Sequence, residues 1–301
     1  MNGQRIGIVG LGAMGGAIAE RLVKCGFAPT VFDINDAAVD RLVQLGAERG
    51  TRTSVASCDV LMTSLPSDAH VMDAVVDSGA LAALGQGTLI ELSTILPETI
   101  EKIADLAVQG GSHVIDSPVT GGPYEALDGK LGLFVGAEDE DVETVRPILE
   151  AIGRIERVGK VGRGKAIKLV NNTMSMGNMV VAAEAFTLGL SLGLDPKQMF
   201  ETLSRSGGRS LAFTKRMPYA LEADFSPRFA LYLSEKDMRL ALSMAHSNGF
   251  PMPVAAAIHQ VYEMGLAKGL GHEDMVAVLK VYNDRHIQMG HSEPGSPTAG
   301  E

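Results

Sequence analysis

Lys168 and Asn172 stand four residues apart in the stretch Gly164–Asn172, which reads G-K-A-I-K-L-V-N-N. In a helix that spacing puts both side chains on one face, one turn apart. An ammonium and an amide on an otherwise mostly apolar helix suit holding a polar substrate and passing it a proton. A free lysine has a pKa of about 10.4, too high for base work near neutrality. Burial beside a positive charge would lower it. Taken alone, Lys168 reads as an exposed helix lysine in a surface ion pair; the plain structural alternative for Asn172 is a buried amide bonding backbone.

A second group of residues makes the pair meaningful. Gly10, Leu11, Gly12, Ala13, Met14 and Gly15 form G-x-G-x-x-G directly after the apolar run at 5–9 and at the start of a helical pattern. Gly10 permits a tight turn, Gly12 lets backbone approach a pyrophosphate, and Gly15 lets helix and strand pack closely. The helix N-terminus offers unpaired N–H groups and positive dipole to phosphates. Asp33 ends the next strand, 23 residues after Gly10, where a carboxylate would accept bonds from the adenosine ribose hydroxyls. It would repel a 2′-phosphate, and Ile34 and Asn35 offer that group no cation. NAD is therefore expected over NADP.

These residues need a scaffold, and its outline is legible. The 301 residues suffice for two domains with separate cores. Short apolar runs at 5–9, 30–32, 60–64, 88–92, 113–117, 131–135 and 155–158 alternate with helical patterns at 14–25 and 36–45. That alternation predicts a Rossmann-type α/β domain with a parallel sheet over residues 1–163. From Lys165 to Leu194 no proline interrupts one long helix, which should join the domains and begin in the cleft where ligands bind. An all-α substrate and oligomerisation domain should follow over 164–290. Asp195-Pro196 marks its next helix start. Helices are expected at 197–203, 230–248, 254–268 and 273–282, with a loop near 206–209. The tail 291–301, rich in Ser, Pro and Gly, is expected to be disordered.

Composition narrows the function classes. Hydrophobic residues make up 46% and charged residues 21%, as in soluble globular proteins. The net charge of −10 argues against nucleic-acid binding. Cys25 and Cys58 read as free thiols in a reducing cytoplasm. The seven histidines lack zinc-site spacing, so no metal is expected. No signal-peptide layout is visible, and no apolar run reaches the roughly 20 residues of a membrane span.

Several motifs occur together and in order. The chain resembles the β-hydroxyacid dehydrogenases, the group with 3-hydroxyisobutyrate dehydrogenase and tartronate semialdehyde reductase, over about residues 5–290. G-L-G-A-M-G resembles the family's opening fingerprint. Leu65-Pro66 resembles its turn beside the cofactor. Glu91-Leu92-Ser93-Thr94 is similar to its D-x-S-T motif, which implies that Thr94 lies by the nicotinamide. Asp116–Gly122 is similar to the substrate loop D-A-P-V-S-G-G. Gly164–Asn172 is similar to the catalytic motif G-x-x-x-K-x-x-N-N. Lys236-Asp237 resembles a late pair whose lysine reaches the cofactor. Glu91 stands where Asp is usual and Thr120 where Ser is usual, and Pro123-Tyr124-Glu125 replaces small residues beside the pocket.

The resemblance implies an NAD-dependent oxidoreductase of a small β-hydroxy acid, with Lys168 as general acid/base. Asn172 would hold the substrate carboxylate or hydroxyl, or orient Lys168, and Thr120 with the N–H groups of Gly121 and Gly122 would hold a carboxylate. The same chemistry in reverse would serve a reductase of small aldehyde acids. A nucleotide-binding module without activity is a further possibility, against which Lys168 argues. The apolar surplus of the long helix predicts a homodimer or homotetramer.

Overall fold

The structure, a computed structural model, describes residues 3–282. The expected tail and the end of the expected helical domain, residues 283–301, lie outside these. Helices of eight residues or more are numbered α1–α9 below. Two compact units divide between Val170 and Asn171.

Unit 1 carries the strands β1 (Ile6–Val9), β2 (Thr30–Phe32), β3 (Glu48–Arg49), β4 (Val60–Thr63), β5 (Thr88–Glu91), β6 (His113–Asp116), β7 (Val119–Thr120), β8 (Leu131–Gly136) and β9 (Gly153–Gly159). Their order in the sheet is β3-β2-β1-β4-β5-β6-β8-β7, with β9 also paired to β8. The first six are parallel, and β8 runs antiparallel to β6 and β7. The parallel half is the expected doubly wound sheet; the antiparallel excursion departs from a purely parallel reading.

Both sheet faces are covered, and the strands show why. Val60 and Met62 of β4 join one core cluster and Leu61 the other. Ile90 and Leu89 of β5 divide the same way. Successive side chains of a strand point to opposite faces, so apolar runs serve two cores. Each fully buried Val, Leu or Ile contributes about 1.5–3 kcal/mol relative to exposure. Helices α1 (Ala13–Lys24) and α4 (Asp139–Ile152) supply Ile18, Leu22, Val145 and Leu149 to the first cluster. Helix α3 (Pro97–Gly110) supplies Ile100 and Ile103 to the second. Helix α2 (Asp36–Gln44) is capped by Asn35, whose side chain accepts the Ala37 N–H.

Helix α5 (Arg163–Ser191) begins in unit 1 and continues into unit 2. Its division falls within the helix because its first two turns pack in unit 1, where Lys165 is fully buried. Unit 2 adds α6 (Pro196–Leu203), α7 (Leu211–Leu221), α8 (Leu231–Ser247) and α9 (Pro253–Ala267). Met176, Met179, Val180, Ala183 and Phe186 of α5 enter its core at helical spacing. The helix expected over 273–282 is a 3₁₀ turn at Met275–Val278 followed by one α-turn at Leu279–Tyr282. The Asp274 side chain accepts the Val276 N–H and starts that tighter turn.

Candidate active site

The carboxyl ends of the parallel strands β1, β2, β4 and β5 carry the glycine loop, Asp33, Leu65-Pro66 and Thr94. Gly10 follows β1 with φ of +90°, a conformation that favours glycine. A Cβ there would come 2.3 Å from the Ser64 carbonyl oxygen, so Gly10 lies against the turn that carries Leu65 and Pro66. Gly12 caps α1 with no side-chain acceptor and has open space where a Cβ would be. The first-turn N–H groups of α1 therefore have no capping side chain, as an anion cradle requires. Asp33 Oδ2 accepts the Leu11 N–H at 2.6 Å, and Oδ1 accepts the Asn35 N–H at 2.8 Å. The acid expected at a ribose thus also fixes the glycine loop. Ile34 beside it is 92% exposed. These residues fit a dinucleotide, whose pyrophosphate would meet the helix start and whose ribose would meet Asp33.

After β5, the Ser93 N–H donates to both carboxylate oxygens of Glu91, at 3.0 and 3.1 Å. Ser93 Oγ accepts the Leu65 N–H at 2.8 Å. The strand end that presents Thr94 is so tied to the Leu65-Pro66 turn. Thr120 closes β7 half-buried, and Gly121 takes φ of +112°. The Gly122 N–H, expected to be an anion donor, donates to Glu125 Oε2 at 2.9 Å in its own turn.

Sequence reasoning passed over Lys165. Its Nζ lies 2.6 Å from Glu91 Oε2 and donates to the Glu91 carbonyl at 2.9 Å. Asp116 Oδ1 is 3.1 Å from the same nitrogen, within ion-pair range but outside hydrogen-bond geometry. Burial opposes the Lys165 charge, yet the Glu91 and Asp116 carboxylates outweigh it and hold its pKa above the usual lysine value. Burial pushes the Asp116 pKa up, against the pull of Lys165. Asp116 Oδ2 also accepts the N–H groups of Gly162, at 2.9 Å, and Lys165, at 3.1 Å. From another strand it does what an N-cap side chain does locally for α5. Glu91, a one-methylene change from the aspartate of the resembling motif, is the main counter-ion of this cluster. A signal existed: Lys165 sits one turn before Lys168 in a segment of helical period.

Lys168 is buried on α5, at 8% exposure. In unit 2, Asn172 Nδ2 donates to Asp237 Oδ2 at 2.7 Å, and Asn172 Oδ1 accepts from Asn171 at 3.0 Å. Lys236 Nζ is 3.2 Å from Asp237 Oδ1. The structure so joins Asn172 and Lys236, both expected in the site, through Asp237. Elsewhere in unit 2, Glu235, His259 and Glu263 bring ligand atoms within 4.8 Å of one another. Glu235 Oε1 there already accepts from His259, at 2.9 Å, and Arg239, at 3.1 Å. No helix among the described residues is long and apolar enough to cross a membrane.

The chain is similar to known proteins over most of its length. A family model described as the NAD binding domain of 6-phosphogluconate dehydrogenase matches residues 5–170. One described as NAD-binding of NADP-dependent 3-hydroxyisobutyrate dehydrogenase matches 162–282. The chain is 39% identical to 2-(hydroxymethyl)glutarate dehydrogenase of Eubacterium barkeri, over 92% of this chain and 94% of that protein. It is 33% identical to L-threonate dehydrogenase of Cupriavidus necator, over 93% and 96%. The structure of Mycobacterium tuberculosis 3-hydroxyisobutyrate dehydrogenase with L-serine superposes with a TM-score of 0.84 at 29% identity, over 92% of this chain and 98% of that one. With the dinucleotide fold, the strand-end cluster and these likenesses in place, the chain belongs to the β-hydroxyacid dehydrogenase family of NAD(P)-dependent oxidoreductases.

Proposed function

We propose that the chain transfers a hydride between NAD and a small β-hydroxy acid, with Lys168 as the acid/base. The observation that supports this most is the burial of Lys168 one turn beyond Lys165, on a helix fastened to the ends of β5 and β6. The nicotinamide supplies the hydride acceptor at the carbinol carbon, or the donor in reverse. In oxidation, neutral Lys168 takes the hydroxyl proton as the carbon–oxygen bond gains double-bond character. In reduction its ammonium returns that proton and stabilises the charge growing on oxygen. Thr120 and the Gly121 N–H bind the substrate carboxylate. A carboxylate reaching the Gly122 N–H displaces Glu125. Asn172 holds a further substrate oxygen, its amide oriented by Asp237 and Asn171.

Asp33 favours NAD, because a 2′-phosphate would meet its carboxylate and find no cation at Ile34 or Asn35. Met174, Val181 and Leu188 of α5 are exposed at seven-residue spacing, and with Leu192 they form the face assigned to a second copy of the chain. A monomer by light scattering would remove that assignment.

The test is a substrate panel of 2-(hydroxymethyl)glutarate, L-threonate, L-serine and 3-hydroxyisobutyrate, each with NAD and NADP. Turnover of at least one, with higher kcat/KM for NAD, is expected. Tight NADH binding without turnover of any of these or of their aldehyde acids would instead support a non-catalytic module.

A further inference from the structure

Glu91, Asp116 and Lys165 are wholly buried charges that the hydride transfer does not use directly. Each sits at a point from which a site segment departs. Glu91 ends β5 and binds the Ser93 N–H just before Thr94. Asp116 ends β6, four residues before Thr120, and binds the Gly162 and Lys165 N–H groups. Lys165 lies in the first turn of α5, three residues before Lys168. We propose that Lys165 is a positioning residue: its ammonium holds the Thr94 loop, the Thr120–Gly122 turn and the Lys168 helix in one frame. This rests on the assignment of Lys168 as acid/base.

Two physical points favour positioning over mere stability. A buried ion pair adds little stability over packed apolar side chains, because lost hydration offsets the attraction. It does add direction. An ammonium has three N–H groups, and around this one stand Glu91 Oε2, the Glu91 carbonyl and Asp116 Oδ1. A slip of the first turn of α5 would break all three contacts together. The approach is also close. A Cβ on Gly164 would lie 2.5 Å from the Phe134 carbonyl oxygen and 2.8 Å from Asp116 Oδ1. The backbone there admits no side chain between helix and strand ends.

The experiment compares wild type, Lys168→Ala, Glu91→Gln/Lys165→Gln and Glu91→Asp. The double variant neutralises the pair and leaves Asp116 to cap α5; Glu91→Asp keeps the charge but shortens its reach. Thermal midpoint, NADH affinity by fluorescence, kcat, KM and hydrogen exchange of the 163–168 amides are read for each. In the double variant, kcat should fall about tenfold or more, since small misplacements cost that much. Substrate KM and NADH affinity should stay within about threefold, and the primary deuterium isotope effect should rise. Exchange of the 163–168 amides should quicken about tenfold, a readout that needs no substrate. Glu91→Asp should fold like wild type with an intermediate kcat, which keeps the test intact if the double variant does not fold. Wild-type kcat and exchange in a folded variant would overturn the proposal. Normal turnover by Lys168→Ala would instead overturn the acid/base assignment, so the two failures are distinct.

Discussion

Each unit buries an aspartate at the centre of a hydrogen-bonded hub, and the hubs differ in what hangs from them. Asp116 in unit 1 meets Lys165 and the first turn of α5, beside the strand ends that carry the candidate site. Asp274 in unit 2 accepts from Arg216 and from the N–H groups of Arg228, Phe229 and Val276. That second hub joins loop to 3₁₀ turn within the helical core, and none of the candidate site residues belongs to it. Burial of a charge is therefore no mark of function by itself. The functional reading comes from which chain segments the charge orders.

Mutation separates the hubs. Asp274→Ala leaves Arg216 and three backbone donors short of an acceptor and should cost about 3–5 kcal/mol. Denaturant unfolding should show this, while kcat per folded molecule stays near wild type; a large loss of kcat would erase the contrast. Asp33→Ala is next in size. Losing charged acceptors should weaken NAD binding by about 1.5–3 kcal/mol, read as a raised KM for NAD with kcat little changed. It should also narrow the proposed preference for NAD over NADP.

The smallest effect is a pH dependence. The Lys165 pKa is raised in the folded chain, so its contribution to stability is complete below about pH 10. It is lost as pH rises through the folded value. Asp116 has the same sign in an acidic window: with its pKa raised, stability falls as pH climbs from the unfolded value toward the folded one. Glu91→Gln removes the main partner of Lys165 and should lower the pH of alkaline unfolding by circular dichroism. An unchanged midpoint would show that Lys165 is not held charged by Glu91.

The sequence made some of this legible for local reasons. The turn at Gly10–Gly15 and the strand before it are neighbours in the chain, and the helical period around Lys168 needs no distant partner. The role of Lys165 was hidden because its partners lie 49 and 74 residues away. The antiparallel placement of β8 was hidden for the same reason, since pairing is tertiary. Helix α7 was passed over because Pro218 lies inside it. Ser210, which accepts the Phe213 N–H, was its available start signal. At Gly122 the motif suggested a free donor, and only the folded turn reveals Glu125 on it.

The most direct test of the central claim is single-turnover kinetics of Lys168→Ala with NAD and whichever hydroxy acid the panel identifies. Chemistry should fall by about 100-fold or more, with NADH bound as in wild type. Hydride transfer at the wild-type rate would contradict the assignment of Lys168 as the acid/base.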